Sequence, residues 1–175
     1  MNACRPRYLS TTPRIQRHHP RQRSATAGWL GCWALCCVLI ASMVTADEAR
    51  IPTLHLQRLQ GDMETIEPDP ERNTLVYLFA PWCGICRHSI GNLDAVDTDA
   101  TRIVVIALDY KTVPEVKAFI RSTGVEHPVY LGTEEHERLF AIEAYPTYFV
   151  LDNAFRVRHH SVGYSTSLGL KFRTR

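Results

Sequence analysis

Residues 75–89 read LVYLFAPWCGICRHS, and they carry the strongest structural signal in the chain. Its first six residues form an uninterrupted apolar run that is rich in strand formers. Such a run predicts a central strand that is buried on both faces. Pro81 ends that strand, and a helix is expected to begin at Cys83 and Cys86. The sequence thus places two cysteines, spaced as CxxC, where a buried strand passes into a helix.

The rest of the chain after Asp47 alternates between strand and helix patterns. Further strands are expected at 54–59, 102–108, 129–131, 147–151 and 155–159, with helices from the cysteines to Val96, from Thr112 to Gly124, and over 134–141 and 168–172. Residues 61–73 (GDMETIEPDPERN) are expected to be an irregular, acidic lead-in. The last two strands form a hairpin around Asp152-Asn153. This order predicts an α/β domain with a mixed central β-sheet flanked by helices on both faces.

Two finer predictions concern the helices. In the first helix, Ile85, Leu93 and Val96 are expected to face the core. The second is expected to start with a capping hydroxyl from Thr112, with Glu115 three residues further on.

Charge divides the chain at Asp47. Six arginines and no acidic residue precede it, whereas fourteen basic and eighteen acidic residues lie from Asp47 onward. A mildly acidic domain argues against a nucleic-acid partner. We therefore predict a basic cytoplasmic tail over 1–23 and a separate domain over 47–175.

Between them, residues 24–46 (SATAGWLGCWALCCVLIASMVTA) carry no charge. A run of this length can cross a bilayer core, which needs ~20 apolar residues. Arginines on its N-terminal side keep that side in the cytoplasm. One transmembrane helix is therefore expected, with the domain outside the cytoplasm. The alternative is a signal segment that is cleaved after Ala46, which releases a soluble domain into the same compartment.

The CxxC pair fits three chemistries. A structural zinc site needs four ligands, but the chain has no second CxxC and its histidines are scattered. A structural disulfide across two residues closes too small a loop to stabilise the fold much. A redox dithiol is favoured, because the amide groups and dipole at a helix N-terminus stabilise a thiolate. Cys83 is then the exposed nucleophile that ionises below the ~8.5 of a free thiol, and Cys86 is the more buried cysteine that resolves the mixed disulfide.

Two segments carry a resemblance to a known family. FAPWCGIC, followed some sixty residues later by AYPTYFVLD, resembles the thioredoxin superfamily. In that family the second segment carries a cis-proline that faces the dithiol, and the matching residue is Pro146. The resemblance implies a thioredoxin fold and substrate contacts from Trp82, Tyr145, Pro146 and Thr147. It also implies that the reaction needs no cofactor beyond the Cys83–Cys86 disulfide.

The apolar run, WCGIC and the tail GYSTSLGLKFR are similar to the membrane-anchored TlpA-like group, and within it to the ScsD-type suppressors of copper sensitivity. This resemblance implies a protein disulfide oxidoreductase on the bacterial inner membrane, with its domain in the periplasm. Its expected partners are substrate proteins with disulfides or thiols and a membrane thiol reductase of the DsbD or ScsB kind. Reduction is the expected direction of exchange.

The sequence also departs from the family. Thioredoxin has a buried acid six residues before the first cysteine, where this chain has Tyr77; a proton relay through that acid is then absent, or Glu143 or another group replaces it. Three alternative functions remain open. They are a disulfide-forming oxidant, a Cu(I)-binding module that uses both thiolates, and an adaptor whose dithiol is idle.

Overall fold

The computed structural model describes residues 49–175. The predicted basic tail and the predicted membrane segment lie outside these residues and stay predictions. Within residues 49–175, no helix is long and apolar enough to cross a membrane.

Seven strands form one mixed sheet in the spatial order β2-β1-β5-β4-β3-β6-β7. The three central strands, β5, β4 and β3, run parallel, and the strands that flank them on both sides pair antiparallel. This arrangement confirms the predicted mixed sheet. The strands are β1 (Leu54–Arg58), β2 (Met63–Ile66), β3 (Asn73–Phe79), β4 (Thr101–Ala107), β5 (Val129–Leu131), β6 (Thr147–Leu151) and β7 (Val157–Val162).

Four α-helices connect or follow these strands, and a 3₁₀ helix, Ile90–Ala95, extends the first of them. Gly124 adopts a left-handed conformation (φ 68°) and ends the second helix, as its sequence position predicts. The helices are α1 (Gly84–Ser89), α2 (Val113–Thr123), α3 (Glu134–Leu139) and α4 (Ser167–Arg173).

Strand β3 supplies the centre of two hydrophobic cores, one on each face of the sheet. Leu75, Tyr77 and Phe79 point to the face covered by α1, α2 and α4. The alternate residues Val76 and Leu78 point to the other face. There they belong to one core with side chains of β1 and of the end of α3. Because successive strand side chains point to opposite faces, the continuous apolar run seen in the sequence fills both cores.

Several local predictions are wrong. Met63–Ile66 forms an edge strand, although the sequence placed it in an irregular, acidic lead-in. Ile85 is 52% exposed rather than part of the core, whereas Leu93 and Val96 are buried as expected. The buried side of this segment is formed by Cys86, Ser89, Ile90 and Leu93, and Ile85 lies outside it.

The start of α2 also differs from expectation. Thr112 is the N-cap, but its hydroxyl makes no capping hydrogen bond. Instead, the backbone N–H of Lys111 donates to the carboxylate of Glu115 at 3.0 Å. An acidic side chain near a helix N-terminus is stabilised by the helix dipole, so Glu115 stabilises this end in place of the hydroxyl.

Gly132, which follows β5, provides a test of the packing. A Cβ atom at this position would lie 2.4 Å from Leu108 Cδ2, 2.8 Å from Ile106 Cγ2 and 3.2 Å from the carbonyl oxygen of Ala107. We expect Gly132→Ala to lower the free energy of unfolding by about 1–3 kcal/mol, because overpacking forces the core apart. Urea denaturation measures this change. Gly91→Ala is the control, since nothing lies within 4 Å of its Cβ position; an equal loss in both variants would contradict the packing argument.

Candidate active site

The sulfur of Cys83 is held at the start of α1. Cys83 is the N-cap residue, and its Sγ accepts a hydrogen bond from the backbone N–H of Cys86 at 3.1 Å. The two cysteines form a disulfide with a Cα–Cα distance of 5.3 Å. Because the first amides of a helix have no partner within the helix, this sulfur takes the place of a capping oxygen. The same amide would stabilise a thiolate at Cys83 after reduction.

The two cysteines differ in access to solvent. Cys83 is 7% exposed and Cys86 is fully buried. Their order is the one expected from the sequence, although Cys83 is more enclosed than an exposed nucleophile was expected to be. Of the two cysteines, Cys83 alone keeps some exposed surface.

The predicted proline loop lies directly against Cys83. The Tyr145–Pro146 peptide bond is cis, and the carbonyl oxygen of Tyr145 lies 3.6 Å from Cys83 Sγ. Pairing of Leu78 with Thr147 brings the loop to this end of β3. The buried hydroxyl of Thr147 donates to the Ala144 carbonyl at 2.7 Å and holds the loop. The structure thus brings together all six residues that were predicted for the site; their roles stay predictions.

An open groove of about 490 Å³ lies between Trp82 and the residues that precede Pro146. Trp82 is 60% exposed on its rim, and its indole N–H donates to both the carbonyl and the carboxylate of Asp109, at 3.0 and 3.1 Å. Tyr145 meets the Trp82 ring edge-on, with ring centroids 5.9 Å apart. The Tyr145 hydroxyl donates to Glu137 at 2.9 Å. The two aromatic rings are therefore fixed by carboxylates from two different segments.

Buried hydroxyl groups lie beneath Cys86. The Tyr77 hydroxyl donates to the carbonyl oxygen of Cys86 at 3.2 Å and lies 3.1 Å from Ser89 Oγ. Burial strongly raises the pKa of Tyr77, so this phenol is neutral at physiological pH. The ring of Tyr148 packs edge-on against Tyr77 at 4.9 Å. A neutral cluster thus stands where the thioredoxin family has an acid, and Glu143, the suggested replacement, instead lines the groove beside Tyr145.

Arg87 has a structural contact in α1. Its guanidinium donates to the hydroxyl of Ser122 and lies 5.0 Å above the ring of Phe119, both in α2. A cation over an aromatic face is an attractive contact. Arg87 therefore ties α1 to α2.

Metal binding finds no support in the described part of the chain. Among residues 49–175, no group of three or more His, Cys, Asp or Glu side chains converges to hold an ion.

Sequence reasoning missed Asp109, Glu137 and Ser89. A signal for Asp109 was present: β3 and β4 are adjacent parallel strands, and polar residues just past their carboxyl ends meet at one edge of the sheet. Glu137 and Ser89 had no such signal, because their contacts depend on how α3 and α1 pack in three dimensions.

Comparison with known proteins supports the fold. No protein-family model matches the chain. It is 22% identical over 120 residues to the thioredoxin-like protein YneN of Bacillus subtilis, which covers 66% of this chain and 71% of that protein. The crystal structure of StoA from Bacillus subtilis superposes with a TM-score of 0.62 at 21% identity, covering 71% of this chain and 98% of StoA.

A thiol:disulfide interchange protein of the thioredoxin family from Chlorobium tepidum gives a TM-score of 0.63 at 23% identity, covering 73% of this chain and 94% of that one. The chain therefore has the thioredoxin fold, as the sequence predicted.

The different environments of the two sulfurs predict different reactivity. In the reduced protein, iodoacetamide is expected to modify Cys83 well before Cys86, because the Cys86 amide stabilises the Cys83 thiolate and Cys86 is buried. The modification rate of Cys83 should reach half of its maximum at a pH below about 8.5, the pH at which a free thiol ionises. Mass spectrometry of each cysteine across a pH series measures both rates. Equal, slow modification of the two sulfurs would contradict the assignment.

The Tyr77 hydroxyl predicts a pH effect on stability. Tyr77→Phe should cost about 0.5–1.5 kcal/mol at neutral pH, since it removes one buried hydrogen bond. Because the folded-state pKa of Tyr77 lies above the ~10 of a free phenol, its contribution is complete below pH ~10 and is lost as pH rises beyond that value. The variant should therefore lose stability less steeply than the wild type in alkaline urea titrations. Tyr164→Phe is the control, since Tyr164 is 57% exposed.

Proposed function

We propose that this protein is a thiol–disulfide oxidoreductase that reduces disulfides of periplasmic proteins through Cys83 and Cys86. One observation carries the proposal: the Cys83 sulfur sits at the N-cap of α1, bonded to Cys86, with a helix amide at 3.1 Å and a loop carbonyl at 3.6 Å. The amide stabilises a thiolate at Cys83, and the loop carbonyl lies where a substrate backbone would approach it. The names of YneN and of the interchange protein agree with this class of chemistry.

The proposed reaction transfers two electrons. In the reduced protein, the Cys83 thiolate attacks one sulfur of a substrate disulfide, and the other substrate sulfur leaves as a thiolate that takes up a proton. Cys86, which loses its proton, then attacks Cys83 Sγ and displaces the second substrate sulfur. The substrate gains two electrons and two protons, and the Cys83–Cys86 disulfide forms. No cofactor is required, because the dithiol carries the electrons.

The surface around Cys83 suits an extended substrate segment. Because the sulfur of Cys83 lies beside the Tyr145 carbonyl, a substrate cysteine bound to it must lie along the loop from Tyr145 to Thr147. Trp82 provides an exposed aromatic surface on the other side of the groove. We assign substrate contacts to Trp82, Tyr145, Pro146 and Thr147.

Location and partners rest on the sequence. The uncharged run 24–46 behind six arginines supports a single-pass anchor in the bacterial inner membrane with the domain in the periplasm. A protein that reduces substrates there needs a donor of two electrons, and a membrane thiol reductase of the DsbD or ScsB kind is the partner we propose. The similarity to ScsD-type proteins adds a link to copper tolerance.

The direction of exchange is testable with glutathione. Equilibration with mixtures of reduced and oxidised glutathione gives the reduction potential of the Cys83–Cys86 pair. For a reductant we expect a value near the roughly −270 mV of thioredoxin rather than the roughly −120 mV of the oxidant DsbA. A value near that of DsbA would reverse the proposed direction.

Single cysteine variants test the separate roles proposed for Cys83 and Cys86. Cys83→Ser should abolish insulin disulfide reduction, because no attacking thiolate remains. Cys86→Ser should lose turnover yet accumulate a mixed disulfide between Cys83 and substrate, visible on non-reducing gels, because nothing resolves it. Cys4→Ser, outside the described domain, is the control and should keep wild-type activity. An active Cys83→Ser protein would refute the proposal, and tight Cu(I) binding by a wild type without turnover would favour the copper-binding alternative.

A further inference from the structure

A groove of about 480 Å³ lies at the end of the sheet opposite the dithiol. It is bordered by the start of β3, the turn between β6 and β7, and the end of α4. Its basic side chains come from all of these segments: Arg72, Arg156, Arg158, Arg173 and Arg175. Only two acidic residues, Glu71 and Asp152, line the same groove.

The concentration of arginine there runs against the charge of the domain. From Asp47 onward the chain has fourteen basic and eighteen acidic residues, so an evenly mixed surface would be slightly acidic. Two of the five arginines are engaged by carboxylates, Arg72 by Asp69 and Arg156 by Asp152, each at 2.8 Å. The groove nevertheless keeps an excess of guanidinium groups, which bind phosphate oxygens in a bidentate manner.

The described chain also begins beside this groove. The carbonyl oxygen of Ala49 accepts a hydrogen bond from the N–H of Val157 at 2.9 Å, and Arg50 pairs with Arg156 in an isolated bridge. Only four residue steps separate Arg50 from Ala46, where the uncharged run ends. Four extended residues span at most about 14 Å. If the anchor is uncleaved, the connection between it and Arg50 is therefore at most about 14 Å long.

We propose that the arginine-lined groove is a contact surface for anionic phospholipid headgroups of the membrane in which the chain is anchored. The proposal rests on the membrane anchoring proposed above, but not on the redox chemistry. Attraction between arginines and an anionic leaflet acts within a Debye length, which is about 8 Å at physiological ionic strength. The short connection allows the groove to approach the headgroups to within that range.

The proposed contact would determine which way the active site faces relative to the membrane. Strand β3 starts at Asn73 in the groove and ends at Phe79, four residues before Cys83. Its length is roughly 20 Å at ~3.3 Å per residue. With the groove on the headgroups, Cys83 faces away from the membrane, toward soluble substrate proteins.

The test uses the full chain in lipid nanodiscs, followed by hydrogen–deuterium exchange. One set of discs is zwitterionic phosphatidylcholine, and the other contains about a quarter phosphatidylglycerol, which supplies the anionic surface. In the anionic discs we expect exchange at residues 156–159 and 173–175 to slow about threefold, with no change around Cys83. The protection should disappear at high salt. Equal exchange in both lipids would overturn the proposal.

Charge-reversal variants locate the contact. Arg158→Glu combined with Arg175→Glu should abolish the protection, whereas Lys117→Glu with Arg121→Glu on α2 should keep it. If the first pair misfolds, the salt series on the wild type still decides the question. Inorganic phosphate added to zwitterionic discs distinguishes the source of the anion: the same protection would indicate a site for a soluble anion and overturn the membrane contact.

Insulin reduction in the same discs separates this proposal from the proposed function. Activity that survives in Arg158→Glu/Arg175→Glu while protection is lost supports a contact distinct from the redox site. Absent activity in a wild type that shows the lipid-dependent protection would refute the redox function and leave the contact standing. Recovery of a chain cleaved after Ala46 would overturn the contact.

Discussion

The rest of the site depends on one hydrogen bond, from the backbone N–H of Cys86 to the sulfur of Cys83. A helix start leaves amide groups without partners, and a polar side chain at the N-cap normally satisfies one of them. Here a sulfur does so, which fixes its position and favours its charged form. Cys83 lies at this position because β3, which is buried on both faces, ends only four residues before it. Core packing thus determines the position of the reactive atom.

The pairing of strands around β3 assembles the remaining groups. Its parallel neighbour β4 brings Asp109 to Trp82, and its antiparallel neighbour β6 brings Tyr145 to Cys83. Three segments far apart in the sequence therefore meet at one end of the sheet. The site therefore depends on the register in which the strands pair. A slip of one residue would turn each side chain of a strand to the other face of the sheet.

The sequence predicted the fold well because its strongest signals are long apolar runs. β3, β4, β5 and β6 were predicted within two residues, and CxxC with Pro146 identified the centre of the site. The errors occur where local pattern and tertiary context disagree. Ile85 is apolar but exposed because Cys86 and Ser89 form the buried side of its helix, and Met63–Ile66 is a strand because β1 offers it an edge. Ser89 and Glu137 could not be assigned, since a lone polar residue gives no sign of its partner.

Tyr77 stands where the thioredoxin family has a buried acid, and this difference bears on the balance between the reduced and the oxidised form of the Cys83–Cys86 pair. An interaction that stabilises a thiolate also stabilises the reduced protein relative to the disulfide. The amide that binds the sulfur of Cys83 at the N-cap therefore favours the reduced form. Around Cys86 the neighbours are neutral: burial keeps Tyr77 protonated, and its hydroxyl binds the Cys86 carbonyl and Ser89 rather than a charge. In the proposed reaction, the attack on the mixed disulfide starts from Cys86, which is fully buried. In the proposed exchange, the fold thus assists the first step, whereas the second step must remove a proton from a buried thiol without a neighbouring carboxylate at the Tyr77 position.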